Sequence, residues 1–209
     1  SLAISDSDFL SGNYAFTGGA GAGAVGDDGH INVGQGGYVG LIGPSVANNG
    51  QIDAGYGCVV LAAGDAVSVD FDGDGLVNFA VSGELADALV SNSGAIHAGG
   101  GGIVLAASAA ADIASSVVNN TGVIEAMSVD GAAGTVKLVA PGAGVTNSGE
   151  ITTAGRSGAA GGTVEITAGA ITNAGLINVS GDAGAAGGNR VFASPLARRI
   201  AAEKGIDLA

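Results

Sequence analysis

Apolar and polar residues alternate along most of this chain, and one short pattern interrupts the alternation again and again: Asn-x-Gly-x-Ile. It occurs at Asn48-x-Gly50-x-Ile52, Asn92-x-Gly94-x-Ile96, Asn120-x-Gly122-x-Ile124, Asn147-x-Gly149-x-Ile151 and Asn173-x-Gly175-x-Ile177. Gly29-x-Ile31 and Gly75-x-Val77 keep only the Gly-x-aliphatic part. Each copy is followed by a Gly-rich turn and a β-rich run, as in Gly57-Cys58-Val59-Val60-Leu61-Ala62-Ala63 and Gly134-Thr135-Val136-Lys137-Leu138-Val139-Ala140. Side chains in a strand point alternately to opposite faces. Ile52, Ile96, Ile124, Ile151 and Ile177 are therefore expected inside, with Gln51, Asp53, Glu125, Glu150 and Asn178 facing water. Short strands recurring at a step of 19 to 28 residues predict a solenoid.

The asparagine and glycine of the unit read as architecture. Asparagine tolerates left-handed backbone and bonds its own main chain in turns, and glycine reaches positive φ freely. Together they turn a corner in every coil. In a parallel stack, equivalent asparagines are also placed to form a hydrogen-bonded ladder.

The two ends depart from the pattern. Residues 1–26 read as an N-terminal cap of strands and turn, with Phe9-Leu10, Tyr14 and Phe16 as its large inward groups. Residues 27–193 carry the repeats, so the solenoid domain spans 1–193. Residues 194–209 read as a C-terminal helix placed to cap the stack: Ser194 suits the N-cap, Pro195 the first turn and Gly205 the position past the end. Residues 84–89 suggest a helical turn or outward loop. The Gly/Ala-rich stretches 128–134, 155–162 and 181–188 suggest loops at one corner of successive coils.

Composition narrows the core and the partners. Of 209 residues 41 are glycine, aromatic residues make up 4% and tryptophan is absent, so the core is built of Ala, Val, Ile and Leu. The net charge of −13 opposes binding to nucleic acid or to an anionic membrane surface. The single cysteine, Cys58, rules out an intrachain disulfide and reads as a small buried apolar residue. No run of 18 apolar residues suggests a membrane-spanning helix, and no leader pattern occurs. The start at Ser1 suggests a piece of a longer protein.

Candidate chemistry is sparse. Asp70, Asp72 and Asp74 match the first half of an oxygen-ligand calcium loop, but Val81 stands where a bidentate Glu belongs, and a plain acidic turn is the better reading. Gly21-x-Gly23-x-x-Gly26 lacks the strand and helix a dinucleotide loop needs. His30 and His97 read as surface residues with no second ligand at metal spacing. Before residue 190 the cations are Lys137 and Arg156 alone, which leaves little for a sugar-cleaving carboxylate site. No catalytic residue, cofactor or metal is assigned.

Residues 9–18 (FLSGNYAFTG), 31–54 (INVGQGGYVGLIGPSVANNGQIDA) and 59–81 (VVLAAGDAVSVDFDGDGLVNFAV) resemble the large exoproteins of two-partner secretion systems, the filamentous haemagglutinin family. The resemblance continues through the looser repeats to about residue 193. It implies an all-β fold, a right-handed parallel β-helix, here of about seven coils with the short C-terminal helix. It also implies secretion to the bacterial surface through an outer-membrane transporter partner, and use as an adhesin or toxin stalk. The family's Asn-Pro-Asn secretion motifs lie upstream of the FLSGNYAF-like segment and do not occur here. Residues 190–209 (RVFASPLARRIAAEKGIDLA) resemble the first helix of the peripheral subunit-binding domain of dihydrolipoamide acyltransferases; a native cap, an engineered junction and a chance match are the three readings of this tail. The expected function is a non-enzymatic adhesive rod that binds a host or bacterial surface receptor. The alternatives are a carbohydrate-active β-helix enzyme (polysaccharide lyase or hydrolase) and a filament subunit that associates end to end.

Overall fold

The computed structural model of the chain describes residues 2–19, 21–71, 77–82, 88–109 and 116–182. One helix, α1 (Asp6–Leu10), is followed by strands β1 (Tyr14–Thr17), β2 (Val25–Asp27), β3 (His30–Asn32), β4 (Tyr38–Gly43), β5 (Ser45–Asn48), β6 (Gln51–Asp53), β7 (Cys58–Ala63), β8 (Ala66–Phe71) and β9 (Val77–Ser82). Then come β10 (Leu89–Asn92), β11 (Ala95–His97), β12 (Gly102–Ala107), β13 (Val118–Asn120), β14 (Val123–Glu125), β15 (Thr135–Asn147), β16 (Glu150–Thr152), β17 (Thr163–Asn173) and β18 (Leu176–Asn178).

The Asn-x-Gly-x-Ile units stack in register. Ile31, Ile52, Ile96, Ile124, Ile151 and Ile177 lie opposite one another along the parallel sheet β3-β6-β11-β14-β16-β18. A second parallel sheet has two arms, β4-β7-β12 and β2-β5-β10-β13. They join at β15, whose first half pairs with β12 and whose second half pairs with β13, and β17 pairs with both halves in turn. Each of the first five rungs is thus three short parallel segments, one per face, and the sixth has two among the described residues. Between the faces lies the core: Val46, Ile52, Val59, Leu61, Val90, Ile96, Ile103, Leu105, Ile124, Val136, Leu138 and Ile151 are fully buried. Burying one such side chain is worth about 1.5–3 kcal/mol.

The expected single solenoid of about seven coils is corrected by this topology. The stack has six rungs among the described residues, and Gly75-x-Val77 is not one of them. Val77 opens β9, which pairs antiparallel with β8, and β8 pairs antiparallel with β1. The chain leaves the stack after β7, builds this separate three-stranded sheet, and returns at β10. Successive ladder positions are 44 residues apart across that excursion and 28, 27 and 26 apart afterwards.

The antiparallel sheet also explains β7, whose six residues are all buried. Val59, Leu61 and Ala63 face the stack interior. Cys58, Val60 and Ala62 face outward, where Val67, Val69, Tyr14 and Phe16 cover them. A strand covered on both faces reads as a continuous apolar run.

The N-terminal segment is a second correction. Phe9-Leu10 is helical, not a strand. Ser5 caps α1 by accepting from the Asp8 N–H at 3.1 Å, and Asp6 and Asp8 sit in the first turn, where a negative charge suits the helix dipole. Most of the expected helical turn at 84–89, and all of the expected helix from Ser194 onward, lie outside the described residues.

Candidate functional site

The asparagines of the repeat form a buried ladder. Nδ2 of Asn48 donates to Oδ1 of Asn92 at 2.8 Å, Asn92 to Asn120 at 2.8 Å, Asn120 to Asn147 at 2.8 Å, and Asn147 to Asn173 at 2.7 Å. The same Nδ2 groups approach backbone carbonyls, for example Asn120 to Gly122 O and Glu150 O, both at 3.3 Å. These carbonyls fix the direction of the ladder. Asn48, Asn92, Asn120 and Asn147 are buried, so the bonds run in a medium where an unmade one is expensive.

The glycines of the unit have a different role from the expected positive φ. Gly50, Gly94, Gly122, Gly149 and Gly175 do not adopt it. A Cβ on Gly94 would instead fall on the carbonyl oxygen of Gly50, one on Gly122 on that of Gly94, and so on up the stack. Glycine is required because the rungs approach too closely at this corner for any side chain.

At the head of the ladder the pattern changes. Asp27 pairs in register with Asn48. Its Oδ1 accepts from the Gly29 N–H at 3.1 Å. Its Oδ2 and the Oδ1 of Asn48 are both buried and meet no donor among the described residues.

His30 and His97, read from sequence as unrelated surface residues, converge on one carboxylate. His30 Nε2 lies 2.6 Å from Asp53 Oδ2, and His97 Nδ1 lies 2.8 Å from Asp53 Oδ1. Gln51 Nε2 donates to Asp53 Oδ2 at 2.8 Å. Burial pushes the Asp53 carboxyl up, but the hydrogen bonds from His30, His97 and Gln51 outweigh it and hold the group below the usual carboxylate value. The cluster ties β3, β6 and β11 together across the outer face. Sequence reasoning missed it because the contact depends on register: His97 sits directly opposite Asp53, while His30 sits opposite Gln51 and reaches diagonally. No group of three or more His, Cys, Asp or Glu side chains among the described residues is arranged to hold a metal ion.

Beside the stack, the antiparallel sheet leaves an apolar groove of about 300 Å³. Phe9, Tyr14, Phe16, Tyr38, Ile42 and Val60 line it, and Phe9 and Tyr14 meet edge to face with ring centroids 5.7 Å apart. Phe9 and Tyr38 remain about half exposed at its rim. Cys58 also borders the groove, and burial pushes its thiol up to about 11, which keeps it protonated and inert at neutral pH.

The remaining candidates are dispersed. Asp70 lies in β8 opposite Asn78, while Asp72 and Asp74 fall outside the described residues. The corners at 128–134 and 155–162 stack on each other through a parallel bridge between Ser128 and Gly155. Arg156 reaches Glu125 at 3.8 Å and also contacts Met127 Sδ, and Lys137 reaches Glu165 at 3.6 Å. Both ion pairs are solvent-exposed and contribute little to stability.

Comparison with known proteins adds two findings. A family model described as the e3 binding domain matches residues 191–209, outside the described part of the chain. Among solved structures, the chain is similar to the HMW1 secretion domain from Haemophilus influenzae, with a TM-score of 0.74 and 27% sequence identity. The likeness covers 86% of this chain and 47% of that one, so the chain spans about half the length of that structure. No curated protein sequence matches the chain.

Proposed function

We propose that this chain is a module of a secreted bacterial exoprotein of the two-partner type, a non-enzymatic rod that holds adhesive surfaces away from the cell. The observation that carries the reading is the likeness to the HMW1 secretion domain, which extends over 86% of the chain. The partner is then an outer-membrane transporter, and the surface ligand is a receptor on a host or bacterial cell. The physics of the stack fits such export. Each rung contacts only its neighbours, so the fold can grow rung by rung as an extended chain emerges.

The test has two arms. The chain is placed behind a two-partner secretion signal segment and expressed with and without the matching outer-membrane transporter. Folded protein in the medium is expected only with the transporter; retention in the periplasm when it is present sinks the export reading. In the second arm the purified protein is offered to epithelial and bacterial cells, and separately to acidic polysaccharides. Saturable cell binding supports the adhesive role, and its absence argues against it. Release of unsaturated or reducing sugar ends would end the non-enzymatic reading.

A further inference from the structure

The residue just before the corner glycine varies among the rungs: Asp28, Asn49, Ser93, Thr121, Ser148 and Ala174. Only the second rung places asparagine there, and Asn49-Gly50 is the one Asn-Gly dipeptide in the chain. This dipeptide carries its own chemistry. The glycine amide nitrogen, unhindered by a side chain, attacks Cγ of the asparagine. A C–N bond forms as the Gly50 nitrogen gives up its proton, the Cγ–Nδ2 bond breaks, and the departing –NH2 takes up one proton through solvent and leaves as ammonia. Water then opens the succinimide ring at either carbonyl, giving aspartate or isoaspartate. No oxidant or second reactant is needed.

In the folded chain every group required for this step is held elsewhere. The Gly50 N–H donates to the Asp27 carbonyl at 3.0 Å, and the Asn49 N–H donates to the same oxygen at 2.8 Å. Asn49 Nδ2 donates to Asp28 Oδ1 at 2.8 Å, and Asn49 Oδ1 accepts from Ser93 Oγ at 2.7 Å. The side chain is exposed to water, yet it is pinned at one end by the first rung and at the other by the third. Cγ can swing onto the Gly50 nitrogen only after those bonds break.

We propose that Asn49-Gly50 is a spontaneous deamidation site gated by the fold, and that its conversion records the parting of the first rung from the second. The change is one-way. An aspartate at 49 sets a second carboxylate against Asp28 where an amide donor had been, replacing a hydrogen bond with like-charge repulsion. An isoaspartate adds a methylene to the main chain between β5 and β6 and displaces Ile52 from its register. A rung opened long enough to react does not close again as it was.

The experiment follows the amide-to-acid mass gain by peptide mapping in the full chain, folded and in urea, at mildly alkaline pH. Conversion is expected in urea, confined to Asn49, and roughly ten-fold or more slower in the folded protein, the factor reflecting the free energy of opening the first rung. The doubly substituted Asp28→Ala/Ser93→Ala chain unpins the side chain without altering the dipeptide, and its folded form should convert several-fold faster than wild type. Asn49→Ser gives the corner found in the third and fifth rungs and should abolish the reaction. Equal rates folded and unfolded, or conversion at Asn92 and Asn147 as fast as at Asn49, would overturn the gating. Refolding of the converted chain to wild-type stability would overturn the one-way consequence.

Discussion

The fourth rung and the sixth carry the same motif and meet different fates. Ile124 is fully buried, with Ile96 below it and Ile151 above. Ile177 holds the same place in the unit but has a neighbour on one side only within the described structure, and it is half-buried. Around it Ile171 and Leu176 are each more than half exposed. The strand, the motif and the local geometry are alike, so burial here belongs to the neighbours and not to the rung. That is the energetics of a one-dimensional stack, where each repeat is weak alone and its interfaces hold it.

The same truncation in both rungs should cost different amounts. Ile124→Ala should cost about 2–5 kcal/mol, while Ile177→Ala should cost clearly less because part of its surface is already wet. Urea denaturation of the two variants checks this, and equal losses would show that the sixth rung is as well packed as the fourth. Next in size is the ladder. Asn120→Ala takes the ladder acceptor from Asn92 Nδ2, which keeps only backbone carbonyls at 3.3 Å and 3.5 Å, and leaves the buried Oδ1 of Asn147 without its ladder donor, an expected loss of about 1–3 kcal/mol. Asn173→Ala, at the exposed end, should lose less than the interior substitution in the same assay.

At the opposite end Asp27 sharpens the contrast by going the other way. Asp27→Asn supplies an N–H group where two buried oxygens lack one, and it should raise stability by about 1 kcal/mol. A loss in thermal or chemical denaturation would mean that the carboxylate is needed at the head of the ladder. The smallest effect concerns the outer face. The Asp53 carboxyl is held below its usual value, so its contribution is present above the unfolded value of about 3.9 and lost as pH falls through the lower folded value. The stability advantage of wild type over Asp53→Asn should therefore shrink as pH falls below 4. An advantage that persists unchanged into strong acid would remove the carboxylate from the account.

What could be read from the sequence follows the same division. The stacked interior was legible because each Asn-x-Gly-x-Ile copy repeats one local rule, amide in the ladder and branched aliphatic inside; the glycine's part was not, because the carbonyl it must clear belongs to the rung below. Gly75-x-Val77 shows where that rule fails. A glycine followed by an aliphatic residue is also how β9 begins, and nothing local separates a parallel rung from an antiparallel strand when the deciding fact is the partner. Phe9-Leu10 misled for a related reason: its alternation suits a strand, but Ser5 had already set a helix cap. The His30–Asp53–His97 cluster was hidden because it joins residues 23 and 44 positions apart through a register that only the fold supplies. The aromatic groove needed the antiparallel sheet to be laid on the outer face of β7, an arrangement no single segment encodes.

The even spacing of the later ladder residues has a consequence at the level of the gene. Asn92, Asn120, Asn147 and Asn173 are separated by 28, 27 and 26 residues, and each interval returns the chain to the same corner with the same amide in hand. An in-frame duplication or loss of one interval therefore joins like to like: glycine again meets the carbonyl below it, isoleucine again meets isoleucine. Such an architecture can change its reach by whole units through unequal recombination, without any compensating mutation in its interior.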